Sequence, residues 1–140
     1  MKFLKIDQNN ISTLRNFIHS IGSSEKKFRY YSNRTPETAI ENHIVTFLLI
    51  DTAAIGYGHL DLDHASDKVW LGICVKEGHY GKGYGKKIMK KLIDSYSGEI
   101  YLSVDRDNER AIHVYETFEF SKFKETEDTI FMRRENDSGI

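Results

Sequence analysis

Residues 78–87 read GHYGKGYGKK, with glycines at 78, 81, 83 and 85, the last three on alternate positions, running into a pair of lysines. Glycine weakens helix and strand alike. A cluster of it between the apolar run KVWLGICV and the amphipathic run KKIMKKLIDSY therefore marks a place where backbone bends sharply or approaches something closely. Successive N–H groups with no side chains in the way, opening into a helix N-terminus, form an anion site. Lys82, Lys86 and Lys87 add mobile positive charge to it. A second segment with chemical content, NERAIHVYETF, carries Asn108 at its start and Tyr115 on its apolar side.

Three phosphate-binding patterns can be compared with the glycine run. Gly78 and Gly83 have the separation of a nucleoside-triphosphate loop, but Tyr84-Gly85 stands where Lys-Ser/Thr is required, so the hydroxyl that would hold magnesium is missing. A dinucleotide fingerprint would use Asp105 as its ribose-binding acid. Against it, the glycines fall as G-x-G-x-G, Lys86 occupies the third small position, and the unit begins too near mid-chain to leave room for the sheet. A cradle for the pyrophosphate of coenzyme A stays open, beside the plainer reading of a flexible turn with solvated lysines.

The elements that must position these residues follow from periodicity. KFLKI reads as an opening strand, and 9–21 places Ile11, Leu14, Ile18 and Ile21 at helical spacing before Gly22. NRTPETAIENHI has a clean helix start, with Thr35 as N-cap, Pro36 in the first position and Glu37 at the positive dipole end. VTFLLI, AIGYGHLDL and KVWLGICV read as three strands, the last so continuously apolar that it belongs at the centre of a sheet. An amphipathic helix begins inside the glycine run, and EIYLSV, the helix from Asn108, EFSKFKE and TIFMRR complete the chain. The order is β-α-α-β-β-β-α-β-α-β-β, an α/β fold with a mixed sheet and helices on its faces. One domain over 1–134 with a polar tail at 135–140 accounts for the whole chain.

At 140 residues the chain can bury roughly two thirds of its unfolded surface. A net charge of -1 argues against bulk nucleic-acid binding, so a basic site must be local. Cys74 is the only cysteine, which excludes an intrachain disulfide and points to a reducing, cytoplasmic home. The opening MKFLKIDQNN has no apolar signal core and no run approaches a membrane span. The six histidines show no metal-ligand spacing, so no metal is expected.

WLGICVKEGHYGKGYGKKIM followed by NERAIHVYETFEF resembles the GCN5-related N-acetyltransferase (GNAT) family. Val75, Gly81, Gly83 and Gly85 match that family's strand and glycine loop, and Asn108, Ala111, Tyr115 and Phe120 match its later helix segment. The element order also matches along essentially the whole chain. Two positions depart from the pattern: Tyr80 stands where Arg or Gln is usual, and Glu119 where Gly usually precedes Phe.

The resemblance implies a mostly antiparallel sheet whose central strands, WLGICV and EIYLSV, splay apart to admit acetyl-CoA. It implies pantetheine contacts at Ile73, Cys74 and Val75, pyrophosphate contacts from Tyr80 through Lys86 (Gly81, Lys82, Gly83, Tyr84 and Gly85 between them), and a cofactor contact at Asn108. Val75 N–H would face the thioester carbonyl. Tyr115, protonated at neutral pH, would deliver a proton to the departing thiolate. Cys74 reads as a small core residue, since the acceptor amine attacks directly. The base is open among His59, Asp61 and Glu77, with His59 favoured by its intrinsic pKa.

In such a family the acceptor is held near SSEKKFRYYSNRTPE. Arg29, Tyr30, Tyr31 and Arg34 would suit a small amine carrying phosphate or carboxylate, such as an amino sugar or sugar nucleotide. A polyamine would instead want carboxylates such as Asp61, Asp63 and Asp67, and a protein or peptide amine is a further acceptor class. A catalytically silent acyl-CoA-binding module is the competing reading. A homodimer is compatible with the chain.

Overall fold

A computed structural model describes residues 1–135, so the expected tail at 135–140 lies, beyond Glu135, outside the described residues. Strands β1 (Lys2–Lys5), β2 (His43–Asp51), β3 (Ala53–Asp63), β4 (Lys68–Val75), β5 (Ile100–Asp105), β6 (Ser121–Glu125) and β7 (Thr129–Arg134) form one sheet in the order β1-β2-β3-β4-β5-β7-β6. Helices α1 (Ile11–Ile18), α2 (Pro36–Ala39), α3 (Tyr84–Asp94) and α4 (Glu109–Thr117) connect them. The element order and the mixed, mostly antiparallel sheet are those expected from the sequence.

The two faces of the sheet have separate cores. Ile88, Met89 and Leu92 of α3 pack with Val69 and Leu71 of β4 and Leu102 and Val104 of β5, and Ala111, Ile112 and Tyr115 of α4 pack against the same cluster. On the opposite face Leu14 and Phe17 of α1 meet Leu48, Tyr57 and Cys74. Each fully buried Leu or Ile contributes about 1.5–3 kcal/mol. The amphipathic stripes of the sequence thus become the glue between layers.

The first two helices are shorter than their periodicity suggests. The run 9–21 becomes a 3₁₀ turn, Gln8–Asn10, then α1, and Gly22 with φ 66° ends the segment. The cap at Thr35 is real, accepting from Thr38 N–H at 3.4 Å with Pro36 behind it. Yet α2 lasts only four residues and one 3₁₀ turn, because His43 is already paired in β2. Sheet pairing overrides helix propensity there.

The feature that positions the site is the joint between β4 and β5. They run parallel and pair only at Val69–Ile100 and Trp70–Tyr101. Beyond Trp70 they part, and among the described residues β4 from Leu71 onward keeps only β3 as its neighbour. Lys76 N–H bonds Ile55 of β3 at 2.8 Å. The alternation of a strand then aims Val75 and Ile73 N–H at the other edge, the one β5 has left.

Candidate active site

The gap between β4 and β5 is the floor of a cleft of about 1570 Å³. Its open end is the glycine loop. Gly78, Gly81 and Gly83 hold φ of 89°, 75° and 81°, a conformation that L side chains rarely adopt. Gly83 is the N-cap of α3 and has no side chain to cap with. Its N-terminal N–H groups are therefore free for an anion. A Cβ at Gly83 would meet nothing within 4 Å, so the approach to this backbone is open. The residues present thus fit a pyrophosphate group. Gly81, Gly83, Tyr84, Gly85 and Lys86 line the cleft, whereas Lys82 is exposed and does not.

Arg110, in the first turn of α4, matches no motif position in the sequence and brings its guanidinium over this loop. A Cβ on Gly81 would lie 3.4 Å from its Nη2. Only its place two residues after the cap residue Asn108 could have flagged it. Asn108 itself lines the cleft and caps α4, accepting from Ala111 N–H at 3.3 Å. Tyr80 lines the cleft beside Gly81, and its hydroxyl bonds Ser24, whose Oγ donates to Val75 O at 2.8 Å.

Tyr115 of α4 reaches the cleft between the loop and β5. Burial pushes its hydroxyl up to about 12, so it carries its proton at neutral pH. Ile73, Cys74 and Val75 line the opposite wall. Cys74 is buried, its thiol pushed up to about 12, and it packs with Tyr57 and Phe17 as a core residue.

The candidate acceptor side is a hydrogen-bonded cluster assembled by strand register. His43 of β2 pairs with Asp61 of β3, Thr46 with His59, and His59 in turn with Gly72 of β4. The connection before α2 lays Tyr30 and Tyr31 onto them. Tyr30 O–H donates to Asp61 Oδ2 at 2.7 Å and sits 2.8 Å from His43 Nε2. A carboxylate only accepts, so Tyr30 receives its own bond from His43 Nε2–H. Thr46 Oγ1, 2.7 Å from His43 Nδ1, then supplies the proton of the last bond. Tyr31 and Tyr57 hydroxyls are 2.6 Å apart, and Tyr57 is 2.6 Å from His59 Nδ1.

Burial lowers His43 to about 4, with the positive charge of Arg34 adding to the effect, and burial likewise lowers His59 well below its ordinary value, with His43 and Arg34 adding to it. Asp61 is raised, chiefly by burial, although Tyr30 and Arg34 pull the other way. His43, His59 and Asp61 bring potential metal-ligand atoms within 4.8 Å of one another, a grouping that linear spacing hid. His43 has both ring nitrogens committed, which leaves a cation only His59 Nε2 and Asp61.

Of the four residues expected to hold an anionic acceptor, each has a partner in the fold. Arg29 bridges to Asp105 at 2.9 Å across the cleft mouth. Arg34 lies over the Tyr30 ring at 4.3 Å and donates to Tyr30 O at 2.9 Å. Tyr30 bonds Asp61, and the Tyr31 hydroxyl turns inward to Tyr57, away from the cleft. Glu77 is engaged by Ser23, with Oε1 2.6 Å from Ser23 Oγ, which lowers its pKa.

Comparison with known proteins identifies the fold and the family. The spermine/spermidine N(1)-acetyltransferase of Bacillus subtilis is 38% identical over 66 residues, 43% of this chain, and the match spans only 43% of that relative's length. An acetyltransferase of the GNAT family from Streptococcus pneumoniae superposes with a TM-score of 0.78 at 13% identity, over 95% of this chain and 97% of that one. A Salmonella typhimurium structure described with its cofactor acetyl-CoA gives 0.72 at 17% identity, over 100% of this chain and 96% of that one. The family model for the Acetyltransferase (GNAT) family matches residues 10–120, and the chain belongs to that family.

Proposed function

We propose that the protein is an acetyl-CoA-dependent N-acetyltransferase of a small primary amine. The observation that carries this reading is the continuity of one cleft, from the anion-ready loop at Gly81–Gly85, past Tyr115, to the carboxylate of Asp61. Acetyl-CoA supplies an activated acetyl thioester. The loop backbone, Lys86 and Arg110 hold its phosphates, and the unpaired N–H edge at Ile73 and Val75 holds its arm. The amine nitrogen bonds to the carbonyl carbon as the carbonyl electron pair moves to oxygen. That pair returns as the carbon–sulfur bond breaks. Asp61 takes the proton that turns the bound ammonium into the attacking amine, Tyr115 O–H gives sulfur its proton, and the second nitrogen proton, lost after attack, passes through solvent and restores Tyr115, so that one proton is released overall.

Asp61 fits the acceptor role because Tyr30 uses only Oδ2, leaving Oδ1 for an ammonium N–H. The engagement of Arg29 and Arg34 within the fold favours a cationic amine over an anionic one. The resemblance to a spermine/spermidine acetyltransferase supports the same choice. An amino sugar or sugar nucleotide is the second acceptor class, favoured by Arg34 beside the cleft. The lone, buried Cys74 fits a cytoplasmic location. Among the described residues no helix is long and apolar enough to cross a membrane.

Coenzyme A release measured with a panel of polyamines, amino sugars and peptide N-termini tests the proposal. Turnover is expected with at least one polyamine. Tyr115→Phe should lower kcat by about 10²–10⁴ while acetyl-CoA still binds. Binding of acetyl-CoA without turnover on any amine would favour the silent-module reading.

A further inference from the structure

The proton on the His59 ring can be located by following hydrogen bonds inward. Tyr31 has one hydroxyl partner among the described residues, Tyr57 at 2.6 Å. The rings of Phe28, Tyr30 and Tyr57 crowd Tyr31. Either hydroxyl of that pair can donate, and the arrangement that gives every hydroxyl proton a partner within the protein has Tyr31 O–H donating to Tyr57. In that arrangement Tyr57, fully buried, accepts from Tyr31 and donates its O–H to the atom 2.6 Å away, His59 Nδ1. Nδ1 is thereby an acceptor, and a neutral imidazole carries its single proton on the other nitrogen.

His59 Nε2 is turned to β4. Its Cε1–Nε2 edge occupies the space where a Cβ on Gly72 would sit, 2.4 and 2.5 Å from those two atoms. Gly72 lies two residues beyond Trp70, the last point at which β4 pairs with β5. Nε2 has no protein hydrogen bond among the described residues, yet no buried side-chain nitrogen or oxygen there lacks a partner. Nε2 thus opens onto the cleft that His59 lines.

We propose that His59 is a neutral hydrogen-bond donor, its Nε2–H aimed into the cleft at the acetyl carbonyl oxygen, with Tyr57 and Tyr31 as positioning residues that keep the proton on Nε2. The proposal rests on the acetyltransferase reading for its target and on the tyrosine chain for its direction. An Nε2–H facing an incoming amine cannot take that amine's proton, so proton acceptance falls to Asp61, on the same strand and face. As negative charge moves onto the carbonyl oxygen under attack, a fixed N–H donor beside Gly72 complements the backbone N–H edge of Ile73 and Val75. Burial, with His43 and Arg34 adding to it, keeps His59 uncharged. The groups around it are His43 from β2, Tyr57 and Asp61 from β3, Tyr30 and Arg34 from the connection before α2, and from β4 the uncharged backbone of Gly72; the Asp61 carboxylate alone pulls toward protonation.

The test pairs a spectroscopic readout with kinetics. In ¹⁵N-histidine-labelled protein without acetyl-CoA, two-bond ¹⁵N–¹H correlations at pH 7 should report the Nε2–H tautomer for His59. In Tyr57→Phe the Nδ1–H form should appear. His59→Gln keeps an N–H donor but cannot act as a base. It should hold kcat within about tenfold of wild type and leave the pH–rate limb in place, whereas His59→Ala should lose about 10²–10³ in kcat. An Nδ1–H tautomer in the wild type, or a His59→Gln variant as slow as His59→Ala with its pH limb abolished, would overturn the proposal. Should His59→Ala not fold, the tautomer and the Gln variant decide. A wild type that binds acetyl-CoA but accelerates no amine sinks the acetyltransferase reading alone, because the tautomer measurement needs no turnover.

Discussion

Glu119 illustrates how a single residue can carry a cost that its neighbours tolerate. Where the family pattern has Gly before Phe, this chain has Glu119 at φ 71°, a left-handed conformation at the end of α4. Phe118 and Glu119 N–H still close that helix end, bonding Tyr115 O and Glu116 O at 3.0 Å. A non-glycine residue there costs about 1–2 kcal/mol, offset in part by the lower chain entropy of glycine's replacement in the unfolded state. Glu119→Gly should therefore raise unfolding free energy by about 0.5–1 kcal/mol, read from urea titration. The departure was visible in the sequence, and its conformational consequence needed the φ angle. His43 and Tyr57 were different: nothing in linear spacing separates them from ordinary strand residues, and only register places them beside Asp61 and His59.

Among the elements, the glycine loop and the connection between α1 and α2 divide the work that one glycine-rich motif suggests. Tyr80 belongs to the loop by sequence but to the connection by contact, since its hydroxyl meets Ser24 and through it Val75 O. Arg29 fastens the same connection to Asp105 on β5. In the proposed cofactor complex the phosphate cradle therefore falls to the loop backbone, Lys86 and Arg110. A β-branched residue at Gly83 would have to adopt φ near 81° and costs about 1–3 kcal/mol of strain at the cap of α3. Gly83→Val should weaken acetyl-CoA by more than about tenfold in calorimetry, and Tyr80→Phe by less than about threefold, because it loses a bond within the protein rather than one to phosphate. The reverse ranking would show that Tyr80 contacts the cofactor.

For the molecule as a whole, the buried histidines tie stability to pH. His43 titrates near 6.5 when unfolded and near 4 when folded, and His59 is displaced in the same direction. Protonation thus favours the unfolded chain. Stability is complete above about 6.5 and is lost as pH falls from there toward 4, at up to about 1.4 kcal/mol per pH unit for each histidine. Urea midpoints should drop between pH 7 and pH 5, and His43→Gln should reduce that slope. The sequence by itself determined the element order, the caps at Thr35 and Asn108, the helix born in the glycine loop and the lone unpaired cysteine, because periodicity and backbone preference are local properties. Tertiary structure decided the rest. Two strands that part after Trp70 create the cleft, register gathers His43, His59 and Asp61, and Tyr57 orients a ring it could not have been seen to touch. Such contacts join residues far apart in the chain, and no local pattern encodes them.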